Sequence, residues 1–399
     1  MSMMSTPSGE RIHISFFGKR NAGKSSIVNA ITGQQLSVVS DVKGTTTDPV
    51  KKAMELLPIG PVVIIDTPGF DDEGILGQKR IDKTNEVLAK TDIAILISDV
   101  TTPIDNDETE FINNLKPRNI PYITVFNKCD LLNSIPSNND DIIYASAKDN
   151  INIVELKNAI AKKAVPKQNT KVLIGDLLKS DDIVVLVTPI DESAPKGRLI
   201  LPQQQTIRDI LDTHCISVVC QVEQLETVLN SLAKPPKMVV TDSQAFGKVS
   251  KIVPGSIPLT SFSILFARYK GDLITQVKGA AALCDLKDGD KILISEGCTH
   301  HRQCGDIGTV KLPKWINEFT GCDIKFDFTS GGEFPKDLSC YKLVVHCGGC
   351  MLNEAEMKNR IQTATNANIP IVNYGVAIAH INGILKRSLE LFSDAYNIL

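Results

Sequence analysis

Gly18-Lys19-Arg20-Asn21-Ala22-Gly23-Lys24-Ser25 decides the fold of the first third of this chain. The octet has the form G-x-x-x-x-G-K-[ST] and lies between a short apolar run, Ile12–Phe17, and a helical stretch, Lys24–Ile31. A phosphate-binding loop needs that strand–loop–helix frame. Its glycines let backbone amides wrap a β-phosphate, and the helix N-terminus adds the positive end of its dipole. Lys24 supplies a point charge to the β- and γ-phosphates, and the Ser25 hydroxyl, followed by Ser26 at the helix start, is a magnesium ligand.

Working outward, Pro61–Asp66, Ile93–Asp99 and Pro121–Asn127 are near-continuous apolar runs, the pattern of buried parallel strands. Amphipathic segments Gln78–Lys90 and Glu108–Leu115 separate them. The alternation predicts a doubly wound α/β sheet. Asp66-Thr67-Pro68-Gly69 ends one strand, where Asp66 can reach the magnesium shell and the Gly69 amide the γ-phosphate. Asn127-Lys128-Cys129-Asp130 ends another, and the Asp130 carboxylate can accept from guanine N1–H and its 2-amino group, a donor pair adenine lacks. Ser146-Ala147-Lys148 fits the loop that closes over the base. Four motifs in order at strand ends predict GTP with Mg²⁺ as the ligand.

The chain has 399 residues, 42% hydrophobic and 22% charged, which suits a folded multidomain protein rather than a disordered one. A net charge of −3 lacks the basic footprint of a nucleic-acid binder. No apolar run approaches a membrane span, and the polar N-terminus lacks a signal peptide's apolar core, so a cytoplasmic location is expected. We expect a three-domain chain: residues 1–166 as the GTP-binding domain, 170–258 as a second unit and 260–399 as a third, the last two α/β with mainly parallel sheets. Strands are expected at Ile183–Thr188, Ile216–Cys220 and Lys237–Thr241, then at Lys291–Ser295, Ile324–Phe328, Leu343–His346 and Ile369–Tyr374. Helices are expected at Ser261–Leu283 and Val376–Phe392.

Ten cysteines are unevenly spread. Only Cys129 falls in the first 200 residues, whereas six lie between Cys298 and Cys350. Cys298-Thr299-His300 and His346-Cys347-Gly348-Gly349-Cys350 each follow a strand, and carboxyl ends of parallel strands share one edge, where two such pieces can converge. Three thiolates with a Cys-x-x-Cys turn suit either zinc or an iron–sulfur cluster, and spacing alone does not choose. Cys322 and Cys340 read as core or strand residues, and Cys304 as a bystander close behind the first piece.

The first third resembles the TrmE/Era-like GTPases of the tRNA-modifying and ribosome-assembly families. Gly44-Thr45-Thr46-Thr47-Asp48 is similar to their switch I sequence G-T-T-R-D, with Thr47 in place of arginine. The resemblance implies Thr46 as a second magnesium ligand and Asn21 as part of a K⁺ site beside the phosphates, so that Lys24, Asn21 and Thr46 form the catalytic set. Phe70 stands where Ras-like proteins keep a glutamine and cannot orient water, so hydrolysis is expected to be slow, and Asn21 with the G-T-T-T-D loop implies stimulation by K⁺. The charges of Asp72 and Glu73 nearby read as solvated loop residues.

A GTPase domain followed by C-x-H…H-C-x-x-C resembles the iron-iron hydrogenase maturation GTPases, the HydF family, over the whole chain. That resemblance implies a scaffold or carrier for the two-iron part of the hydrogenase cofactor. It implies a 4Fe-4S cluster on Cys298, Cys347 and Cys350, with His300 and His346 as iron ligands or as donors to cluster sulfur. It also implies a homodimer formed through residues 170–258, and radical-SAM hydrogenase maturases and apo-hydrogenase as partners, with no nucleic acid and no membrane. Three motif thiolates leave one iron of a cubane without a cysteine. The competing expectation is an RNA-modification or ribosome-assembly GTPase with a structural zinc domain.

Overall fold

The computed structural model describes residues 6–34, 50–69, 83–168, 172–190, 197, 199–298 and 306–399. They fall into two compact units that divide at residues 170 and 171.

The first unit is built on six strands: β1 (Ile12–Gly18), β2 (Val50–Leu56), β3 (Gly60–Asp66), β4 (Ile93–Asp99), β5 (Tyr122–Asn127) and β6 (Ile142–Tyr144). Their order is β2-β3-β1-β4-β5-β6, all parallel except β2, which runs antiparallel to β3. Along β1 and β3 alternate residues face opposite layers. Phe16 and Ile64 enter one buried cluster and Phe17 and Ile65 another, so both faces of the sheet are covered. Each such side chain contributes roughly 1.5–3 kcal/mol on full burial, which is why these strands are legible as apolar runs. β2 has no such signature. Its residues Val50–Glu55 are largely exposed, and backbone pairing with β3 alone makes Val-Lys-Lys-Ala-Met-Glu-Leu an edge strand.

The second unit holds two four-stranded sheets. The first comprises β7 (Ile183–Val187), β8 (Ile216–Cys220), β9 (Met238–Thr241) and β10 (Leu259–Ser261); the second comprises β11 (Lys291–Glu296), β12 (Lys325–Ser330), β13 (Leu343–His346) and β14 (Ile371–Asn373). Their orders are β10-β9-β7-β8 and β12-β11-β13-β14, parallel throughout. Written by order along the chain, both sheets read 2-1-3-4. In each, a helix leaves the fourth strand directly, Phe262–Lys270 after β10 and Tyr374–Ile381 after β14. One hydrophobic cluster runs through both halves.

Three details depart from the sequence reading. The unit expected to end at residue 258 acquires β10, which lies beyond that limit and pairs with β9. The helix expected over Ser261–Leu283 breaks at Gly271, and Asp272 caps a new helix, Leu273–Ala280, by accepting from the Thr275 amide at 3.1 Å. The expected helix Val376–Phe392 is two short pieces, Tyr374–Ile381 and Leu385–Ser388, because Gly383 takes a left-handed φ of 69° after Asn382.

Candidate functional site

The phosphate loop leaves β1 through Gly18, whose φ of 143° and packing both require glycine: a Cβ there would lie 2.1 Å from the Ile97 carbonyl oxygen of the paired strand β4. Asn21 takes a left-handed φ of 59° on the exposed side of the loop. Gly23, φ 86°, starts the helix Lys24–Thr32, and its missing Cβ leaves room for the Asn127 side-chain amide. Lys24 is buried, and its Nζ donates to the carbonyls of Gly18 at 2.8 Å and Lys19 at 2.6 Å, so the ammonium lies inside the loop it closes.

Ser25 Oγ donates to Asp66 Oδ2 at 2.9 Å, which brings together the two residues expected at the magnesium site, from the loop and the end of β3. The other carboxylate oxygen, Asp66 Oδ1, is buried without a hydrogen-bond partner. A buried acceptor of that kind suits a cation shell. Thr67 returns the chain to β1, its amide and hydroxyl both donating to the Phe16 carbonyl, and carries it to half-buried Gly69. Ser26 is half-buried in the helix. Thr46, Thr47, Phe70, Asp72 and Glu73 lie outside the described residues.

The base side is organised by Asn127, which is buried at the end of β5. Its Nδ2 donates to the Ala22 carbonyl at 2.9 Å, and its Oδ1 accepts from the Ala147 amide at 3.2 Å. One amide therefore ties the phosphate loop to the base loop. Lys128, at a left-handed φ of 67°, pairs with Asp99 at 2.5 Å. Burial pushes the Asp99 carboxyl up, but hydrogen bonds from Lys128 and Thr101 outweigh it and the net shift is downward. Asp130 Oδ1, like Asp66 Oδ1, is buried with no partner, the state expected of an acceptor for guanine N–H groups. Ser146 Oγ accepts from the Asp149 amide at 3.2 Å, and Lys148 is exposed. Two supports were not apparent from the motifs: the Lys128–Asp99 pair, and Lys19 bound to Asp105, the N-cap of helix Asn106–Leu115.

In the second unit β11 and β13 are adjacent and parallel, with Ser295 beside His346. Chain order reverses between them, making this the sheet's switch point, and both strands deliver cysteines to the same carboxyl edge. The Cys347 sulfur accepts from the amides of Gly297 at 3.0 Å and Gly349 at 3.4 Å. Burial raises the Cys347 thiol to about 12, with Cys350 adding to the shift. Burial, Cys347 and Cys350 raise Cys298 further still. The three thiols share one electrostatic neighbourhood, yet among the described residues no three His, Cys, Asp or Glu side chains form a ready coordination set. The donor chemistry nevertheless fits an iron–sulfur cluster: soft sulfur ligands, amides aimed at sulfur, and none of the described cysteines in a disulfide.

His346 is fully buried. Arg360 has only donors, so its Nη1, 3.1 Å from His346 Nε2, makes that nitrogen the acceptor; Nδ1–H then donates to the Cys347 carbonyl at 2.7 Å. Burial, with Arg360 second, lowers this histidine to about 3. Both of its nitrogens are engaged within the protein. Arg360 itself is 1% exposed and donates to Glu356, Gly331 and Ser295. Asp306 Oδ2 accepts from the Thr309 amide and hydroxyl. Cys340, expected in the core or a strand, is exposed in the turn before β13, while Cys322 packs against the core. His300 and Cys304 lie outside the described residues. Arg360 and Lys270, both buried, support this site, and no sequence motif singles either out.

Comparison with known proteins gives three family matches. Residues 13–128 match the family described as 50S ribosome-binding GTPase. Residues 173–271 match the Hydrogen maturase F dimerization domain, and 274–391 the Hydrogen maturase F tetramerization domain. The chain belongs to the hydrogen maturase F family. Its first unit is a GTPase domain, which supports binding of GTP and Mg²⁺, and its second carries the dimerization and tetramerization domains. The GTPase domain is also similar to the tRNA modification GTPase MnmE of Francisella philomiragia, 36% identical over 176 residues, 41% of this chain and 38% of that protein. MnmE of Endomicrobium trichonymphae is 37% identical over 165 residues, 38% of this chain and 35% of that protein. The chain thus spans less than two fifths of the curated relatives it matches. Among solved structures, Aquifex aeolicus Era bound to GDP·AlF4⁻ matches over 52% of this chain and 91% of its own, at 19% identity and TM-score 0.34. Among the described residues no helix is long and apolar enough to cross a membrane.

Proposed function

We propose that this hydrogen maturase F protein hydrolyses GTP slowly, with K⁺ stimulation, and carries a 4Fe-4S cluster on Cys298, Cys347 and Cys350. In this reading it is a scaffold or carrier for the two-iron subcluster of the iron-iron hydrogenase, serving radical-SAM maturases and the apo-hydrogenase. The observation that carries the cluster is the parallel pairing of β11 with β13, which sends two cysteine-bearing strand ends to one edge of the sheet. His346, with both ring nitrogens engaged, suits a positioning residue rather than an iron ligand. The cluster, when bound, supplies an iron corner without a motif thiolate.

At the nucleotide site, Lys24 and the loop amides hold the phosphates, Ser25 and Asp66 hold the magnesium, and Asp130 selects guanine. Magnesium supplies charge neutralisation at the β- and γ-phosphates. Asn21, exposed at the loop's crest, suits the K⁺ site.

For the homodimer, support comes from β8, an edge strand whose Ile216 and Val219 are 49% and 44% exposed beside free backbone pairing groups. In this reading the chain has three functional domains, and β10 belongs to the dimerization segment. Iron and acid-labile sulfide analysis of anaerobically purified protein tests the reading. About four irons and four sulfides per chain are expected. Stoichiometric zinc without sulfide would instead favour the RNA-associated GTPase with a structural zinc domain.

A further inference from the structure

The helix Phe262–Lys270 belongs to the dimerization segment, yet it ends against the cysteine turn of the other half. Its last residue, Lys270, is 2% exposed. Lys270 Nζ donates to the carbonyls of Cys350 and Leu352, each at 3.0 Å, and lies 5.7 Å from the Phe266 ring centre. The turn's backbone lies close to the same helix at Gly348, where an added Cβ would sit 3.5 Å from Ser263 Oγ. Ser263 also accepts from the Gly375 amide at 3.3 Å, which anchors the helix beside the end of β14.

Burying an ammonium costs several kcal/mol, and a leucine or methionine would fill much of the same volume without that penalty. The matching 2-1-3-4 sheets provide an internal control. Asn382 follows the helix after β14 at the same step that Lys270 occupies after β10. Its Nδ2 donates only to Ile378, within its own helix, and its Oδ1 would stand 3.3 Å from a Cβ at Gly247. Gly247 lies in the first turn of the helix Phe246–Ile252, and the turn between β9 and that helix reads Asp242-Ser243-Gln244-Ala245, whereas the turn after β13 reads Cys347-Gly348-Gly349-Cys350. The cysteine turn after β13 receives a lysine from the opposite half, whereas a neutral amide stands at the matching place beside the turn after β9.

We propose that Lys270 is the positioning residue of the cysteine turn, fixing the Cys350 and Leu352 carbonyls from the dimerization segment and holding a positive charge beside the thiolate ligands. This rests on the cluster reading above, but part of its test does not. In the full-length apo-protein, Lys270→Met should raise the rate of N-ethylmaleimide labelling at Cys350 at least fivefold, because the freed turn exposes the half-buried thiol by more than loss of the cation lowers its thiolate fraction. Cys298, on another strand, should stay within twofold, and Lys270→Arg should restore the parent rate. An unchanged Cys350 rate, or equal acceleration at Cys298 and buried Cys220, would overturn the proposal, since the latter reports general loosening.

In the reconstituted protein, loss of a buried cation disfavours the more negative, reduced cluster. Lys270→Met should therefore shift the oxidised-to-reduced ratio at fixed potential about tenfold towards oxidised, a midpoint lower by about 59 mV, with Lys270→Arg near the parent. An unchanged midpoint would overturn the electrostatic part. Should Lys270→Met fail to fold, Lys270→Gln, which keeps a donor but not the charge, should shift the midpoint likewise and leave the Cys350 labelling rate within twofold. A parent protein that takes up no iron would sink the cluster reading alone, and the labelling comparison would still decide the role of Lys270.

Discussion

Replacing Gly23 by alanine separates the cost of a backbone angle from the cost of a collision. Gly23 and Gly33 flank the same helix at φ 86° and 65°. A Cβ at Gly33 meets nothing within 4 Å, whereas a Cβ at Gly23 would lie 2.1 Å from Asn127 Nδ2. Gly33→Ala should therefore cost only the left-handed strain, about 1–2 kcal/mol. Gly23→Ala adds displacement of the Asn127 amide from the Ala22 carbonyl, and with it the bond from Ala147 to Asn127. At ~1 kcal/mol for each neutral hydrogen bond, the total is about 3–4 kcal/mol. For a unit of this size that corresponds to melting shifts of about 2–8 °C for Gly33→Ala and about 6–16 °C for Gly23→Ala. Thermal melts of the full chain followed by circular dichroism, with GDP titration calorimetry, make the comparison. Nucleotide affinity should fall at Gly23→Ala and hold at Gly33→Ala, because only the former disturbs the bridge between phosphate and base loops. Equal melting shifts, or GDP affinity unchanged at Gly23→Ala, would refute the reasoning.

Lys24→Ala should abolish GTP turnover in a phosphate-release assay and leave iron content unchanged, because the two sites belong to separate units. GTPase rates in matched buffers should be higher in K⁺ than in Na⁺; equal rates would remove Asn21 from the cation site. Ile216→Lys with Val219→Lys should shift the dimer to monomer in light scattering at micromolar concentration, since like charges would face across the β8 edge. Asp99 is lowered in the folded state, so its contribution is fully present above the unfolded carboxylate pKa of about 4 and disappears as pH falls through the lower folded value. Asp99→Asn should accordingly melt below the parent at pH 7 and converge with it as the pH drops below about 4.

The sequence by itself determined the GTPase site, because that site is assembled from short motifs at strand ends. Gly18 to Ser25 carries its own turn geometry, and Asp66, Asn127 and Asp130 sit where buried apolar runs stop. The same logic located Cys298 and Cys347 at the ends of β11 and β13. Local spacing constrains such residues, because chemistry and backbone geometry act over a few positions. Tertiary structure decided everything that depends on partners far along the chain. Asn127 reaches a phosphate-loop carbonyl 105 residues away, and Lys270 reaches a turn 80 residues away. β2 becomes a strand only through the backbone of β3, and β10 joins its sheet only through β9. Arg360 and Lys270 have the composition of solvent-facing helix residues. Their burial is a property of the neighbours that fold over them, and the free energy that keeps a charge inside comes from carbonyls and side chains contributed by other elements.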